Sequence, residues 1–210
     1  MGRPLSVVFI GYEGSGKTTH ISLACDKLRR FGVKPYCTYV KTVFLAARFV
    51  SSLRLSRNLH RVAVALDLAL NSVLLPFLWF AKTFIIPLIL KRRVVLVEEG
   101  LFGSLVDYVH AAFVLNLRPV VRRSLGLLFF LFRMGYGDGV VFTWYDLSLL
   151  PHRWRERGTP PEFPTYMFAQ ALVFSIIPKV LQRNLLQINT GLDLEYNNRQ
   201  VLNYITSLLA

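Results

Sequence analysis

A chain of 210 residues, 53% of them apolar, fits one α/β domain or two very small ones and has ample material for a large core. The formal charge of +13 and a pI near 10.2 favour anionic partners: nucleotides, nucleic acid or an acidic membrane surface. The basic residues come mostly as scattered pairs, such as Arg29-Arg30 and Arg122-Arg123, so no long basic run singles out one of these. Cys25 and Cys37 form no CxxC, and no His/Cys cluster has zinc-like spacing, so a zinc site is excluded and both cysteines read as packed or free thiols.

In chain order, Leu5 to Ile10 is an apolar run suited to a buried strand. It leads into Gly11-Tyr12-Glu13-Gly14-Ser15-Gly16-Lys17-Thr18-Thr19, which has P-loop spacing between a strand and a helix. Glycines there let the backbone turn tightly and point successive N–H groups at phosphate oxygens, and the following helix adds its positive end. In such a loop Lys17 reaches the β- and γ-phosphates and Thr18 holds Mg²⁺. The helix runs to about Phe31 and stops at Gly32. Pro35 to Val40 alternates as a second strand. Thr42 to Arg61 reads as helical, with Arg48, Arg54, Arg57 and Arg61 facing solvent or an anionic ligand.

From Val62 to Leu90 the pattern is apolar and helical, bent or broken at Pro76 and Pro87. It is long enough to be a transmembrane candidate. Asn71, Lys82 and the two prolines stand against insertion, as does the strand that follows at once. Membrane attachment is therefore not expected, although the 68–90 run leaves core, dimer interface and membrane face all open. Met1 to Pro4 leads straight into the first strand with no signal peptide, and the expected compartment is the cytoplasm.

Val94 to Val97 is a β-branched run suited to a buried parallel strand, ending in Glu98-Glu99-Gly100. Carboxylates at the C-terminal end of such a strand sit where open α/β sheets place their ligands; one can support Mg²⁺ through water or take a proton from a hydroxyl. Leu105 to Leu117 and Val120 to Met134 read as helices, Gly135 to Gly139 as a turn and Val140 to Trp144 as the fourth strand. Pro151 to Pro164 then changes character. Arg153, Arg155 and Arg157 at alternate positions, followed by glycine and prolines, suit a mobile cap over anions, since guanidinium groups grip phosphate oxygens bidentately. Tyr166 to Gln182 returns to helix, Leu185 to Ile188 is a fifth strand and an amphipathic helix closes the chain. Strands alternating with helices argue for a parallel sheet covered on both faces, in a single domain over 1–210 with a lid at about 151–164.

These residues resemble the thymidylate kinase family of P-loop nucleoside monophosphate kinases over most of the chain. Gly11 to Thr19 looks like that family's P-loop, including the acidic Glu13. Glu98 falls on the Asp of the family's Asp-Arg pair, and Arg153 to Gly158 looks like the arginine-rich lid of its bacterial-type members. Those members carry no arginine in the P-loop, and Gly14 agrees with that arrangement. The resemblance implies a P-loop NTPase fold, a three-layer α/β/α architecture with a five-stranded parallel sheet. It implies ATP and Mg²⁺ as cofactors, phosphorylation of dTMP or a related monophosphate, and usually a homodimer. Three departures lie on the acceptor side. Glu99 stands where the family has arginine, Tyr39-Val40-Lys41-Thr42 replaces an Arg-Glu-Pro motif, and the middle-helix arginine is missing near Phe77.

The first reading is thus a thymidylate kinase-like phosphotransferase. The loop from Gly11 to Thr19 binds ATP, Thr18 and Glu98 serve the metal, and Lys17, Glu98, Arg153, Arg155 and Arg157 carry catalysis. A second reading keeps the ATP half and phosphorylates a hydroxyl of a nucleoside or small metabolite, with Glu98 or Glu99 as base. A third is a nucleotide-dependent binding or switch protein at a membrane or on nucleic acid; the other two expect no nucleic-acid partner.

Overall fold

Period-two alternation along the strands divides the core between two faces of one sheet. A computed structural model describes residues 3–54, 56–122, 137–158, 162–181 and 184–209. Its strands are β1 (Leu5–Gly11), β2 (Pro35–Tyr39), β3 (Val94–Glu98), β4 (Gly139–Trp144) and β5 (Leu185–Asn189). They form a five-stranded sheet in the order β2-β3-β1-β4-β5, and every pairing is parallel. Leu5 pairs with Val94 and Val7 with Gly139, which brings the C-terminal ends of β1, β3 and β4 level with one another.

The helices are α1 (Lys17–Arg30), α2 (Leu45–Ser52), α3 (Arg57–Phe80), α4 (Ile86–Ile89), α5 (Gly100–Val114), α6 (Leu150–Arg157), α7 (Pro164–Val180) and α8 (Leu194–Leu209). Val8, Ile10, Val95 and Val97 point to one face, under α3, α5 and α7. Val7, Phe9, Val94 and Leu96 point to the other, under α1 and α8. The expected three-layer α/β/α architecture is therefore present. All four of Val94–Val97 are fully buried, as a strand covered on both faces requires.

Four features depart from the sequence reading. The helix expected over 42–61 is two helices: the chain turns between Leu53 and Ser56, where Arg54 takes a left-handed backbone (φ 50°) and Ser56 caps α3 by accepting from the Leu59 amide. Pro76 does not break α3, which runs on through a π-turn at Ala81–Ile85 into α4; the register shift falls after the proline. The basic stretch begins not as an irregular flap but as helix α6, ended by Gly158 in a left-handed conformation. Cys25 of α1 and Cys37 of β2 are joined as a disulfide, which corrects the reading of two separate thiols. The helix expected over Val120–Met134 is helical at 118–122 and lies outside the described residues from 123 onward, as do Gly135 and Tyr136.

Asp67 fixes the chain beyond β2. It is 3% exposed, and its two carboxylate oxygens accept from the Ala46 and Ala47 amides, 3.0 and 2.8 Å away, at the start of α2. One turn on, Asn71 accepts from the Val43 amide and donates to the Val43 carbonyl. Hydrogen bonds to a charged acceptor contribute about 1.5–3 kcal/mol each, and a donor left unpaired in a buried site costs more than the bond returned. Asp67→Ala should lower unfolding stability by roughly 2–4 kcal/mol in urea titration, with Asp67→Asn retaining part of it.

Candidate functional site

Five residues, Tyr12 to Gly16, carry the chain from β1 to α1, and sterics dictate the glycines at the turn. Gly11 has φ 154°, and a Cβ there would collide with the backbone oxygen and hydroxyl of Thr143 on β4. Gly16 has φ 79° and ψ 17° immediately before α1, a left-handed entry that favours glycine. Ser15 is fully buried, its hydroxyl 2.6 Å from that of Thr143, which in turn donates to the Ile10 carbonyl.

Lys17 is 6% exposed. Its ammonium donates to the carbonyls of Gly11 and Tyr12, both 3.1 Å away. Backbone carbonyls satisfy its hydrogen bonds but do not cancel its charge, so the loop keeps a buried positive centre. The Thr18 hydroxyl donates to Glu98 Oε1 across 2.6 Å, joining the start of α1 to the end of β3. Thr19 is exposed one residue later. Tyr12 packs edge-on against Tyr145 and Phe174, and the Glu13 amide donates to Gln170 Oε1.

Arg153 reaches this loop from α6. One guanidinium nitrogen donates to the Gly14 carbonyl at 2.9 Å and to the Thr190 hydroxyl, the other to the Thr190 carbonyl at 2.9 Å. The group lies 4.3 Å from the centre of the Tyr145 ring, whose hydroxyl donates to the Glu13 carbonyl. Arg155 is exposed on the same helix, and the Arg157 side chain lies outside the described residues. The structure thus brings Arg153 together with the loop of Lys17 and Thr18.

The region beyond β3 is acidic. Glu99 follows β3 with φ 67° and ψ −53°, a conformation costly for a residue with a Cβ. Its amide donates to the Phe9 carbonyl, and with Lys17, Gly103, Tyr166 and Gln170 it lines one narrow cleft beside the loop. Burial raises the Glu99 carboxyl above its ordinary value, and Glu13 and Glu98 add to the rise while Lys17 opposes it. Asp107, two turns along α5, accepts from the Tyr166 hydroxyl at 3.3 Å. Burial pushes it up to about 6, with Glu99 contributing. A second cleft of about 470 Å³ lies between α2, α3 and α5, where Asp107, Arg48, His60 and His110 share its wall with apolar side chains.

Among the described residues no group of three His, Cys, Asp or Glu side chains gathers to hold a metal alone. The Thr18–Glu98 pair still fits Mg²⁺, which takes few protein ligands and completes its shell with water and phosphate oxygens. Thr143, Tyr145, Gln170 and Thr190 were not picked out by the sequence. Thr143 and Tyr145 stand at the C-terminal end of β4 and Thr190 directly after β5, positions the strand-end rule for open sheets could have flagged; Gln170 carries no such signal.

The chain matches no protein-family model and no curated protein. The three-layer fold with its five-stranded parallel sheet is consistent with the broad P-loop, kinase-like superfamily at large rather than with one family in it.

The Asp107 shift sets a pH dependence. Its carboxyl is raised in the folded state, so between about pH 4 and 6 the fold holds a proton that the unfolded chain has released, and stability falls as pH rises through that window. Asp107→Asn, which keeps an acceptor for Tyr166, should flatten that fall and raise the melting temperature at pH 7.5. Thermal unfolding from pH 4 to 8 reads it; an unchanged slope contradicts a buried Asp107 charge.

Proposed function

We propose that this protein transfers the γ-phosphoryl group of ATP to a small acceptor. The observation that carries the reading is the meeting of the Lys17 ammonium, the Thr18–Glu98 pair and Arg153 at one glycine loop between β1 and α1. Phosphoryl transfer asks a protein mainly for positioning and for positive charge where negative charge spreads. In this reading the amides from Gly11 to Thr19 and the Lys17 ammonium bind the phosphates. Thr18 and Glu98 would hold Mg²⁺, which when bound neutralises phosphate charge. Arg153 locks α6 to the loop, so that Arg155 and Arg157 ride on a helix already docked beside it.

Two acceptors compete. The resemblance to thymidylate kinases favours a nucleoside monophosphate, most directly dTMP. Glu99 favours a hydroxyl. It lines the same narrow cleft as Lys17, and as a carboxylate it offers an acceptor for a hydroxyl proton. A monophosphate dianion would instead meet Glu99, which stands where the family it resembles has arginine. In the hydroxyl reading the acceptor oxygen bonds to the γ-phosphorus, the bond from that phosphorus to the leaving ADP oxygen breaks, and the hydroxyl proton passes to Glu99.

Incubation with γ-labelled ATP and a panel of nucleosides, nucleotides and hydroxyl metabolites tests this. Label on a nucleoside or metabolite is expected. Label on dTMP keeps the phosphotransferase and overturns Glu99 as base, and no label despite firm ATP binding overturns transfer in favour of a nucleotide switch. Lys17→Ala should lower turnover by about 10²-fold or more. Arg153→Ala should lower it by about 10³-fold if the guanidinium also meets the transferring group. Turnover within tenfold of wild type would confine Arg153 to holding α6.

A further inference from the structure

Helix α3 is apolar on both sides. Its buried face carries Asp67, Asn71 and Ser72 among Ala63, Val64, Leu68, Leu75 and Trp79, while leucine, valine and phenylalanine also face outward. The exposed stripe runs from Leu59 through Leu66, Val73 and Phe77, past Phe80 and Phe84, to Leu88 on α4. These positions recur at three, four or seven residues, so they share one side of the helix. At 1.5 Å per residue the stripe is roughly 44 Å long, far beyond the scattered apolar side chains normal on a soluble surface. Leu45, Phe49 and Leu53 of α2, which packs on α3, are exposed as well.

Charge indicates what covers this face. Between Lys41 and Val97 every Asp, Glu, Lys and Arg is a cation except Asp67, which is buried and bonded to α2. Arg54 and Arg57 stand exposed at one end of the stripe, Lys91 and Arg93 at the other. A second copy of the chain would bring basic ends against basic ends in either antiparallel or parallel packing. An apolar strip with cations at both ends matches instead an acyl layer edged by anionic headgroups. The Arg57–Ile89 helix has the length and composition to cross a membrane, and only 22% of its most apolar window is buried. Leu68, Leu75 and Trp79 nevertheless belong to the core under the sheet, and Asp67 and Asn71 tie the helix to the chain after β2. Leaving the domain to span a bilayer would break all of these.

We propose that the α2–α3–α4 face binds the surface of an anionic bilayer, with the outer stripe of α3 lying in the plane of the membrane. This proposal is independent of the chemistry at the glycine loop.

Co-sedimentation of the full chain with extruded vesicles tests it. Binding is expected to vesicles of phosphatidylcholine with 30% phosphatidylglycerol and to be weak to pure phosphatidylcholine. Val73 is 51% and Phe77 70% exposed, so Val73→Gln with Phe77→Gln should leave the melting temperature unchanged. That pair should weaken vesicle binding on the order of 100-fold. Arg57→Gln with Arg93→Gln should weaken it roughly 30-fold, about fivefold for each charge near the surface. The proposal is overturned by wild-type protein that stays in the supernatant with the anionic vesicles, or by equal binding to neutral ones. It is also overturned by a dimer in light scattering that the Val73/Phe77 pair dissociates.

Discussion

A buried ammonium held by two carbonyls of its own loop is the interaction on which this structure turns. Lys17 cannot sit against Gly11 and Tyr12 unless the chain reverses direction within the residues after β1. That reversal is possible only because position 11 has no side chain to strike Thr143. Once the turn is set, Thr18 stands opposite Glu98, the Gly14 carbonyl faces α6, and Arg153 has a partner. The parallel sheet supplies the rest of the geometry, since the ends of β1, β3 and β4 arrive side by side. Lys17, Thr18, Glu98 and Arg153 thus share one edge of the sheet, where positive charge from the loop and negative charge from the β3 end lie within each other's field.

The region between β2 and α3 follows a different logic. Asp67 and Asn71 are polar groups buried in an apolar helix, and both are used up by the backbone after β2. They tie the stretch after Lys41 and Thr42 to α3. Glu99 and Asp107 then bring two half-buried carboxyls to the region beyond β3, where desolvation raises both above their ordinary values.

Much of this was legible in the amino acids. The spacing from Gly11 to Thr19, the β-branched run at 94–97 and the alternation of strands with helices each reflect a local rule, and local rules are written in neighbouring residues. What escaped depended on distance in sequence. The Cys25–Cys37 bridge needs α1 packed on β2, and Tyr145, Gln170 and Thr190 matter only because the sheet and α7 carry them to the loop. The break between α2 and α3 was hidden because Leu53 to Ser56 holds neither glycine nor proline. The apolar outer face of α3 escaped for another reason. The polar residues of that helix are too few to disturb the helical pattern, and only packing reveals that they point inward.

The most direct measurement of the phosphate cradle is displacement of a fluorescent ATP analogue, in the presence of Mg²⁺, by inorganic tripolyphosphate and separately by adenosine. If the loop from Gly11 to Thr19 grips phosphate, tripolyphosphate competes at concentrations where adenosine does not. Competition by adenosine alone, or failure of the analogue to bind at all, would contradict the account.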